Sequence, residues 1–265
     1  MVRGLYTAAS GALVAQAQAD VIANNLANVN TNGFKQTLLQ VASSPDMRLF
    51  RFQTDPGQDS GKRTPGVSVA QPVGALGLGA QVYDTPASFG QGTLEHTGNS
   101  LDLALSSQDN AFFAVQTPQG IRYTRDGQFA RDPQGYLVTM DGNRVLGRNG
   151  AVIVPAGDVL IGQDGTITKG GRAVDQLRIT QFANLTALRP EGDNHFIDTG
   201  AARPAPSTTA TVNQGFLEKS NANVVRSMVD LISAQRWFEA NEKTVQAEDQ
   251  LTGLAITSVG RTSGQ

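Results

Sequence analysis

Cysteine is absent from this 265-residue chain, and aromatic and charged side chains are scarce. The missing thiols exclude disulfide bonds, thiolate catalysis and cysteine-ligated metals. Aromatic residues make up 6% of the chain and charged residues 17%, below the roughly 25% charged residues of an average soluble domain. The composition therefore indicates a core of small and β-branched side chains under a surface rich in Ser, Thr, Asn, Gln and Gly.

The sequence also lacks a basic run and a long apolar segment. Its net charge is -2 and its pI is near 5.7, so charge gives no reason to expect a nucleic-acid partner. The first twenty residues contain no apolar stretch of signal-peptide length, and nothing approaches the roughly 20 apolar residues of a membrane span. We therefore expect no cleaved signal peptide.

The residue types that carry enzymatic chemistry form no recognisable constellation. The two histidines, His96 and His195, lie far apart, each in a polar, turn-like stretch. Several aspartates adjoin Gly or Pro, where a carboxylate bonds nearby backbone amides; these are Asp55, Asp126, Asp132, Asp141 and Asp164. Because no phosphate-binding loop, nucleophile elbow or metal-ligand spacing is present, the sequence predicts no catalytic residue, no cofactor and no metal site.

The N-terminal segment has the pattern of a helix. Mostly small and apolar residues recur at spacings of four and three, with Gln16 as the exception; the positions are Leu5, Ala9, Ala12, Gln16, Ala19, Ala23 and Leu26. The pattern ends in ANNLANVNTNGFK, residues 23–35, which has five asparagines from Asn24 to Asn32 and no charge between Asp20 and Lys35. Gly33 is placed to adopt a left-handed conformation after the helix.

The rest of the chain predicts three further segments and a tail. Residues 36–70 mix Pro, Gly, Ser and charge, as an extended linker does. Residues 71–214 contain short β-type runs such as AFFAVQT and LRITQF between turn sequences, which predicts a mainly antiparallel sandwich or barrel-like sheet. Residues 215–258 predict a second long helix with Asn221 or Asn223 as its N-cap, and residues 259–265 form the tail.

The expected fold class is α+β. Val224, Leu231, Phe238 and Val245 recur every seven residues in the second helix, which predicts a seam facing the first helix. We therefore expect the long N- and C-terminal helices to pack as a coiled coil that encloses a mainly antiparallel β central domain, with residues 1–35 as the N-terminal assembly helix.

A short internal echo relates two parts of the chain. The stretches that begin at Gln91 and Gln214 share Gln-Gly-x-Leu-Glu and a later Asn. Two interpretations are open at this point. The two stretches are related docking strands, or the match of five residues is a coincidence.

The chain ends resemble those of the bacterial flagellar rod and hook axial proteins. The signature Asn-Asn-Leu-Ala-Asn followed by Thr-x-Gly-Phe-Lys matches at Asn24, Asn25, Leu26, Ala27, Asn28, Thr31, Gly33, Phe34 and Lys35. The C-terminal GFLEKSNANVVRSMVDLISAQRWFEANEKTVQAEDQ resembles the partner helix of that family, and TGNSLDLALSSQDNAFFAVQT and RYTRDGQFARDPQGYLVT match in the middle. One departure is Arg226-Ser227, where the family usually has two acids; a cation there opposes the helix dipole.

The resemblance implies a structural subunit of the flagellar basal-body rod with no enzymatic activity; proximal and distal rod proteins are both open. Such a subunit self-assembles into a helical tubular polymer that transmits torque. The implied partners are further copies of the chain, adjacent rod and hook proteins, basal-body ring proteins and the flagellar type III export apparatus, with no nucleic acid. The implied location is the extracytoplasmic part of the basal body, reached without a cleaved signal peptide.

The predicted assembly interface lies on the two terminal helices. It comprises Leu5, Ala9, Ala12, Ala19, Ala23, Asn24, Asn25, Leu26, Asn28, Gly33, Phe34, Val224, Met228, Leu231, Phe238 and Val245. Asparagine suits such a surface because it both donates and accepts hydrogen bonds without carrying charge, whereas Asn30 and Asn32 serve the turn. We expect the helices to order on assembly, with the charged C-terminal helix lining the wet channel.

An alternative is a β-domain that binds cell-wall carbohydrate. It requires exposed aromatic rings on one sheet face, for which the candidates are Tyr83, Phe89, Phe112, Phe113, Tyr123, Phe129 and Tyr136. Strand alternation instead favours a core position for most of these rings.

Overall fold

The structure is a computed structural model that describes residues 2–44, 47–53, 69–106, 110–207 and 209–262. The chain divides into two compact units. The smaller unit comprises Met1–Ala19, Leu39–Asp84 and Ile232–Gln265, and the larger unit comprises Asp20–Leu38 and Thr85–Leu231. The two helices, α1 (Val2–Ala27) and α2 (Val224–Thr262), each contribute residues to both units.

The strands of the smaller unit are short antiparallel pairs. They are β1 (Gln40–Ser43), β2 (Met47–Gln53), β3 (Val69–Leu76) and β4 (Ala80–Asp84), with β1 paired to β4 and β2 to β3. Strands β1 and β2 fall within the predicted linker, residues 36–70, and β3 begins at its end. Residues 54–68 of that linker lie outside the described residues.

The larger unit is built from short strands, as the many glycine turns predict. The strands are β5 (Leu94–His96), β6 (Leu103–Ser106), β7 (Ala111–Thr117), β8 (Gly120–Thr124), β9 (Phe129–Arg131), β10 (Leu137–Thr139), β11 (Arg144–Gly147), β12 (Gly150–Ala151), β13 (Leu160–Ile161), β14 (Thr166–Lys169), β15 (Arg172–Gln176), β16 (Ile179–Phe182), β17 (Leu188–Gly192), β18 (His195–Asp198), β19 (Pro204–Pro206), β20 (Thr211–Gln214) and β21 (Phe216–Glu218). A 3-10 turn, Leu185–Ala187, precedes β17.

The main sheet has ten strands, with β17-β18-β8-β7-β11-β10-β9 as its path and β12, β16 and β19 attached. Every described pairing in it is antiparallel. The remaining strands form a sheet of β13, β14 and β15 and the pairs β20-β6 and β21-β5. This confirms the mainly antiparallel β domain of the α+β prediction.

Strand β7 carries the core of the larger unit on both of its faces. Phe113 and Val115 lie in one apolar cluster, and Phe112 and Ala114 lie in a second one. A continuous apolar run of this kind is typical of a strand that is covered on both sides. The rings that strand alternation assigned to the core are accordingly buried at Phe112, Phe113, Tyr123 and Phe129.

The predicted coiled coil is wrong. Gln16 and Ala23, which continue the predicted seam of α1, are exposed, and so are Val224 and Met228 at the start of α2. A coiled coil needs its apolar seam positions interlocked along the whole helix pair.

Within the smaller unit, two glycines of α1 lie close to polar side chains of α2. The Cβ position of Gly4 would lie against Glu248, and that of Gly11 would lie 2.9 Å from Asn241 Oδ1. The buried apolar residues of α1 there are Ala8, Val14 and Ala15 rather than the predicted seam. Where glycine has no side chain, the α1 backbone comes close to polar side chains of α2, which is not the interlocked apolar seam of a coiled coil.

In the described part of the chain, neither helix has an apolar stretch long enough to span a lipid bilayer.

Candidate functional site at the junction of the chain ends

The segment that follows α1, residues 28–36, and the segment that precedes α2, residues 218–223, meet at a buried ionic cluster in the larger unit. We call these two segments the chain ends. Glu218, the last residue of β21, accepts a hydrogen bond from Lys35 Nζ at 2.6 Å on Oε1 and contacts Arg125 Nη1 at 3.2 Å with Oε2. All three side chains are almost completely buried. We call this cluster, with the backbone of residues 32–36 and 218–221 around it, the junction.

Burial destabilises the charged forms of the two cations of the junction, Lys35 and Arg125. Burial lowers the pKa of Lys35, which the charge and hydrogen bond of Glu218 oppose, and Arg125 lowers it further. Burial also lowers the pKa of Arg125, again opposed by Glu218. Two buried cations share one anion, and Arg125 Nε has no hydrogen-bond partner in the described residues. Glu218 is therefore the group on which both cations depend.

Other groups complete the cluster. The backbone N–H of Gly92 donates to Glu218 Oε1 at 2.8 Å, and Lys35 Nζ also donates to the Gly90 carbonyl at 2.9 Å. The Arg125 guanidinium lies 5.2 Å from the centre of the Phe112 ring, within cation–π range. The junction is thus anchored to the second apolar cluster.

Gly33 brings the backbone of the N-terminal segment into the junction. Its N–H donates to the Glu218 carbonyl at 2.7 Å, and its φ of +68° is the predicted left-handed conformation. A Cβ at this position would lie 2.4 Å from the backbone nitrogen of Asp126. Glycine is required on both counts.

Asparagine side-chain amides bond to backbone groups on either side of the cluster. Asn221 Oδ1 accepts from the Gln36 N–H at 2.8 Å, and Asn221 Nδ2 donates to the Ser88 carbonyl at 2.8 Å. Asn25, which is buried, exchanges two 2.8 Å hydrogen bonds with the backbone of Thr37. These side chains take the place of backbone hydrogen-bond partners where no strand is available.

The internal echo lies directly at the junction. Its two copies form the antiparallel pair β5-β21, in which Leu94 is opposite Glu218 and Glu95 is opposite Leu217. The matching glutamates differ in environment: Glu218 is buried, whereas Glu95 is exposed and pairs with Lys219 Nζ at 3.0 Å.

The predicted interface residues occupy several environments. Leu5, Ala9, Ala12 and Ala19 of α1 and Phe238 and Val245 of α2 are half-buried in the smaller unit. In the larger unit, Asn25 and Gly33 are buried, Leu26, Asn28, Phe34 and Leu231 are half-buried, and Ala23, Asn24, Val224 and Met228 are exposed. The structure brings only Gly33 and Phe34 of this set into the junction.

Sequence reasoning gave no site role to Lys35, Arg125 or Glu218. One signal was present: Lys35 ends a charge-free stretch that begins after Asp20. Arg125 and Glu218 lie 90 and 183 residues from Lys35 in sequence. Nothing in the sequence around them indicates that their side chains are buried.

The start of α2 is capped as predicted. The Arg226 N–H donates to Asn223 Oδ1 at 2.9 Å, so Asn223 satisfies an otherwise unpaired helix donor. The side chain of Arg226 is exposed and lies 3.8 Å from Asp230 one turn later. This acid on the same helix offsets part of the unfavourable interaction between Arg226 and the helix dipole.

No group of three or more His, Asp or Glu side chains suited to a metal occurs in the part of the chain that the structure describes.

The shared anion of the junction gives a first prediction. Glu218→Gln leaves two buried cations without a counter-charge, so we expect the free energy of unfolding to fall by about 3–5 kcal/mol. Chemical denaturation measures this loss. The matched control is Glu95→Gln at the equivalent position of the echo, whose exposed ion pair contributes about 1 kcal/mol at most. Equal losses in the two variants would contradict the role of Glu218.

Asp126, next to the junction, gives a second prediction. Burial raises its pKa to about 6, the Gln128 N–H opposes this, and Asp141 and Asp102 add to it. The folded chain therefore binds more protons than the unfolded chain between about pH 4 and 6, and stability falls as pH rises through this window. We expect Asp126→Asn, which keeps the oxygen acceptor for Gln128, to be more stable than the parent by ~1–3 kcal/mol at pH 7 and equal to it near pH 4.

Thermal denaturation across this pH range tests the prediction. Asp164→Asn is the control of opposite sign, because hydrogen bonds from Thr166 lower the pKa of Asp164 and its stabilisation is lost as pH falls. A stability difference between parent and Asp126→Asn that does not change with pH would refute the assignment.

Three family models match parts of the chain. Residues 5–35 match the flagella basal body rod protein model, residues 108–169 the flagellar hook protein FlgE/F/G D1 domain, and residues 213–257 the flagellar basal body rod FlgEFG protein C-terminal model. The first and third matches each contain one end of the junction.

Curated relatives extend the similarity over the whole chain. The flagellar basal-body rod protein FlgG of Agrobacterium fabrum is 35% identical over 95% of this chain and 97% of its own length. FlgF of Caulobacter vibrioides is 33% identical over 98% of the chain and 99% of its own length. The flagellar hook-basal body complex protein FlhO of Bacillus subtilis is 28% identical over 98% of the chain and 100% of its own length.

These relatives are structural components of the flagellar axis, which favours that function over the carbohydrate-binding alternative. The burial of Phe112, Phe113, Tyr123 and Phe129 also removes most of the aromatic rings on which the alternative depended. The chain belongs to the family of flagellar basal-body rod proteins.

Proposed function

We propose that the chain is a structural subunit of the flagellar basal-body rod that self-assembles through α1 and α2 into a helical tube. The tube transmits torque, and the subunit has no catalytic role. The observation that carries the proposal is the junction: the segment after α1 and the segment before α2 are joined to the β domain by one buried glutamate. A load on either helix near this point therefore reaches the β domain through a fixed attachment.

The first turns of α2 offer a surface for a second copy of the chain. Val225, Met228 and Val229 are 73%, 49% and 58% exposed, although burial of each would be favourable by roughly 1.5–3 kcal/mol. Such a patch on one helix is typical of an assembly surface. It extends the predicted interface from Val224 and Met228 to the residues beside them.

The asparagines of the N-terminal segment divide between two roles. The amides of Asn25 and Asn32 are engaged within the chain, and Asn28 bonds locally to the Asn24 carbonyl. Asn24 is exposed, and its side-chain amide has no hydrogen-bond partner among the described residues. Asn24 is therefore the amide best placed to bond a neighbouring subunit.

The charge difference between the helices assigns them different surroundings. Between Arg3 and Lys35 the only charged residue is Asp20, whereas α2 contains charged residues along most of its length. We place α2 at the aqueous channel and α1 within protein, because charged side chains need water. Adjacent rod and hook proteins, ring proteins and the type III export apparatus are the proposed partners, at an extracytoplasmic location reached without a cleaved signal peptide.

Substitution of the α2 patch tests the assembly role. We expect Val225→Ser with Val229→Ser to leave stability within about 0.5 kcal/mol, since both side chains are exposed, but to prevent incorporation into the rod. Motility and the chain content of isolated basal bodies, in cells that carry only the variant, measure this. Leu160→Ser, which alters a 72% exposed residue of the β domain, is the control and should assemble. Normal incorporation of the double variant would refute the proposal.

Ordering of the helices on assembly is tested separately. We expect circular dichroism of the isolated chain to report less helix than the 26 residues of α1 and 39 residues of α2, because apolar surface on both helices is not covered. Polymerisation should restore the missing signal. Full helicity in a species that sediments as a single chain would contradict coupled ordering.

A further inference from the structure

The sequence contains two Asn-Gly pairs, Asn32-Gly33 and Asn149-Gly150. At such a pair the glycine nitrogen can lose its proton and attack the side-chain carbonyl carbon of asparagine, because glycine has no Cβ to hinder the approach. The new C–N bond closes a succinimide ring, and the side-chain nitrogen leaves as ammonia. Water then opens the ring to aspartate or isoaspartate, so the only co-reactant is solvent.

The first requirement for this reaction is a side chain that no contact holds in place, and Asn149 meets it. Asn149 is an exposed residue of the two-residue turn between β11 and β12, in which Gly147 is opposite Gly150. Its side chain has no hydrogen bond in the described part of the chain. A Cβ on Gly150 would meet no atom within 4 Å, so the space beside this glycine is open.

Asn32 has the same chemistry but is held at every reacting group. Its Nδ2 donates to Gln128 Oε1 at 3.1 Å, and its Oδ1 accepts from Lys219 Nζ at 3.1 Å. Its backbone carbonyl accepts from Asn194 Nδ2 at 2.9 Å. These bonds fix the side-chain carbon that would be attacked.

The attacking nitrogen is also engaged. The Gly33 N–H donates to the Glu218 carbonyl at 2.7 Å, and Gly33 is buried against the backbone of Arg125 and Asp126. Deprotonation and rotation of this nitrogen both require the hydrogen bond to Glu218 to open. Glu218 comes from the other end of the chain.

We propose that Asn149 is the site of spontaneous deamidation in the folded chain, and that the junction protects Asn32 from the same reaction. Protection of Asn32 depends on the C-terminal segment being in place, since Glu218 and Lys219 provide two of the contacts. Asn32 therefore deamidates quickly in a chain whose junction is open and slowly in a chain whose junction is closed.

The products have different consequences at the two sites. Isoaspartate adds a carbon to the main chain, which at residue 32 would displace the Gly33 N–H from the Glu218 carbonyl and prevent the junction from closing. At residue 149 the same change falls in an exposed turn and leaves the core intact. Asn32 is thus a modification site. Its reaction makes a chain with an open junction unable to close that junction.

The experiment is peptide mapping by mass spectrometry of the full-length chain after incubation in mildly alkaline buffer, with and without urea. In buffer we expect conversion at Asn149 and a rate at Asn32 at least ~10-fold below its rate in urea; a tenfold ratio corresponds to about 1.4 kcal/mol of opening free energy. In urea the two sites should react at similar rates. Asn149→Gln should remove the conversion at that site alone.

Lys219→Met is the variant that tests the contact, because Lys219 is partly exposed and its loss leaves the Glu218 cluster intact. We expect the Asn32 rate in buffer to rise by about 2- to 5-fold, as for the loss of one hydrogen bond, with the Asn149 rate unchanged. Either of two results overturns the proposal: an Asn32 rate in buffer equal to that in urea, or an Asn149 rate in buffer no higher than that of Asn32.

Discussion

The contact of Glu218 with Lys35 and Arg125 is the interaction on which the arrangement of the chain ends depends. One buried carboxylate balances two buried cations, each from a different part of the sequence. Removing charges from water is costly, so an ionic cluster of this kind is stable only when every member is in place. The cost also makes the cluster selective, because a misregistered β5-β21 pair would leave Lys35 and Arg125 without their anion.

Selectivity of register matters here because the two strands at the junction are copies of the same short motif. Leu94 and Glu95 in β5 could otherwise exchange roles with Leu217 and Glu218 in β21. Among the described residues, Glu218 and not Glu95 pairs with Lys35, and the Gly33 N–H donates to the Glu218 carbonyl at a position too crowded for a Cβ. A polar group that specifies register at some expense in stability is familiar from coiled coils, and the junction uses a charge in the same way.

The body of the larger unit supplies the fixed support for this attachment. Strand β7 separates two apolar clusters, and Phe112 in one of them lies under the Arg125 guanidinium. The ionic cluster therefore contacts the packed core of the larger unit through Arg125 and Phe112. The exposed apolar residues of α2 begin only after the junction. The ionic attachment and the proposed apolar assembly surface are therefore adjacent in sequence but involve different residues.

Local sequence patterns determined many of the elements of this protein. Alternation and turn residues indicated the strands of the larger unit, and helical spacing indicated α1 and α2, whereas β1 and β2 fall in a segment predicted as linker. Gly33, and Asn223 as one of two cap candidates, were identifiable from the conformations and caps that helix ends require. The coiled coil was not determined in this way, because a seven-residue repeat shows which side of a helix is apolar but not what covers it. Burial of Lys35, Arg125 and Glu218 was decided only by the tertiary structure, since the desolvation of a charge depends on neighbours that lie far away in the sequence.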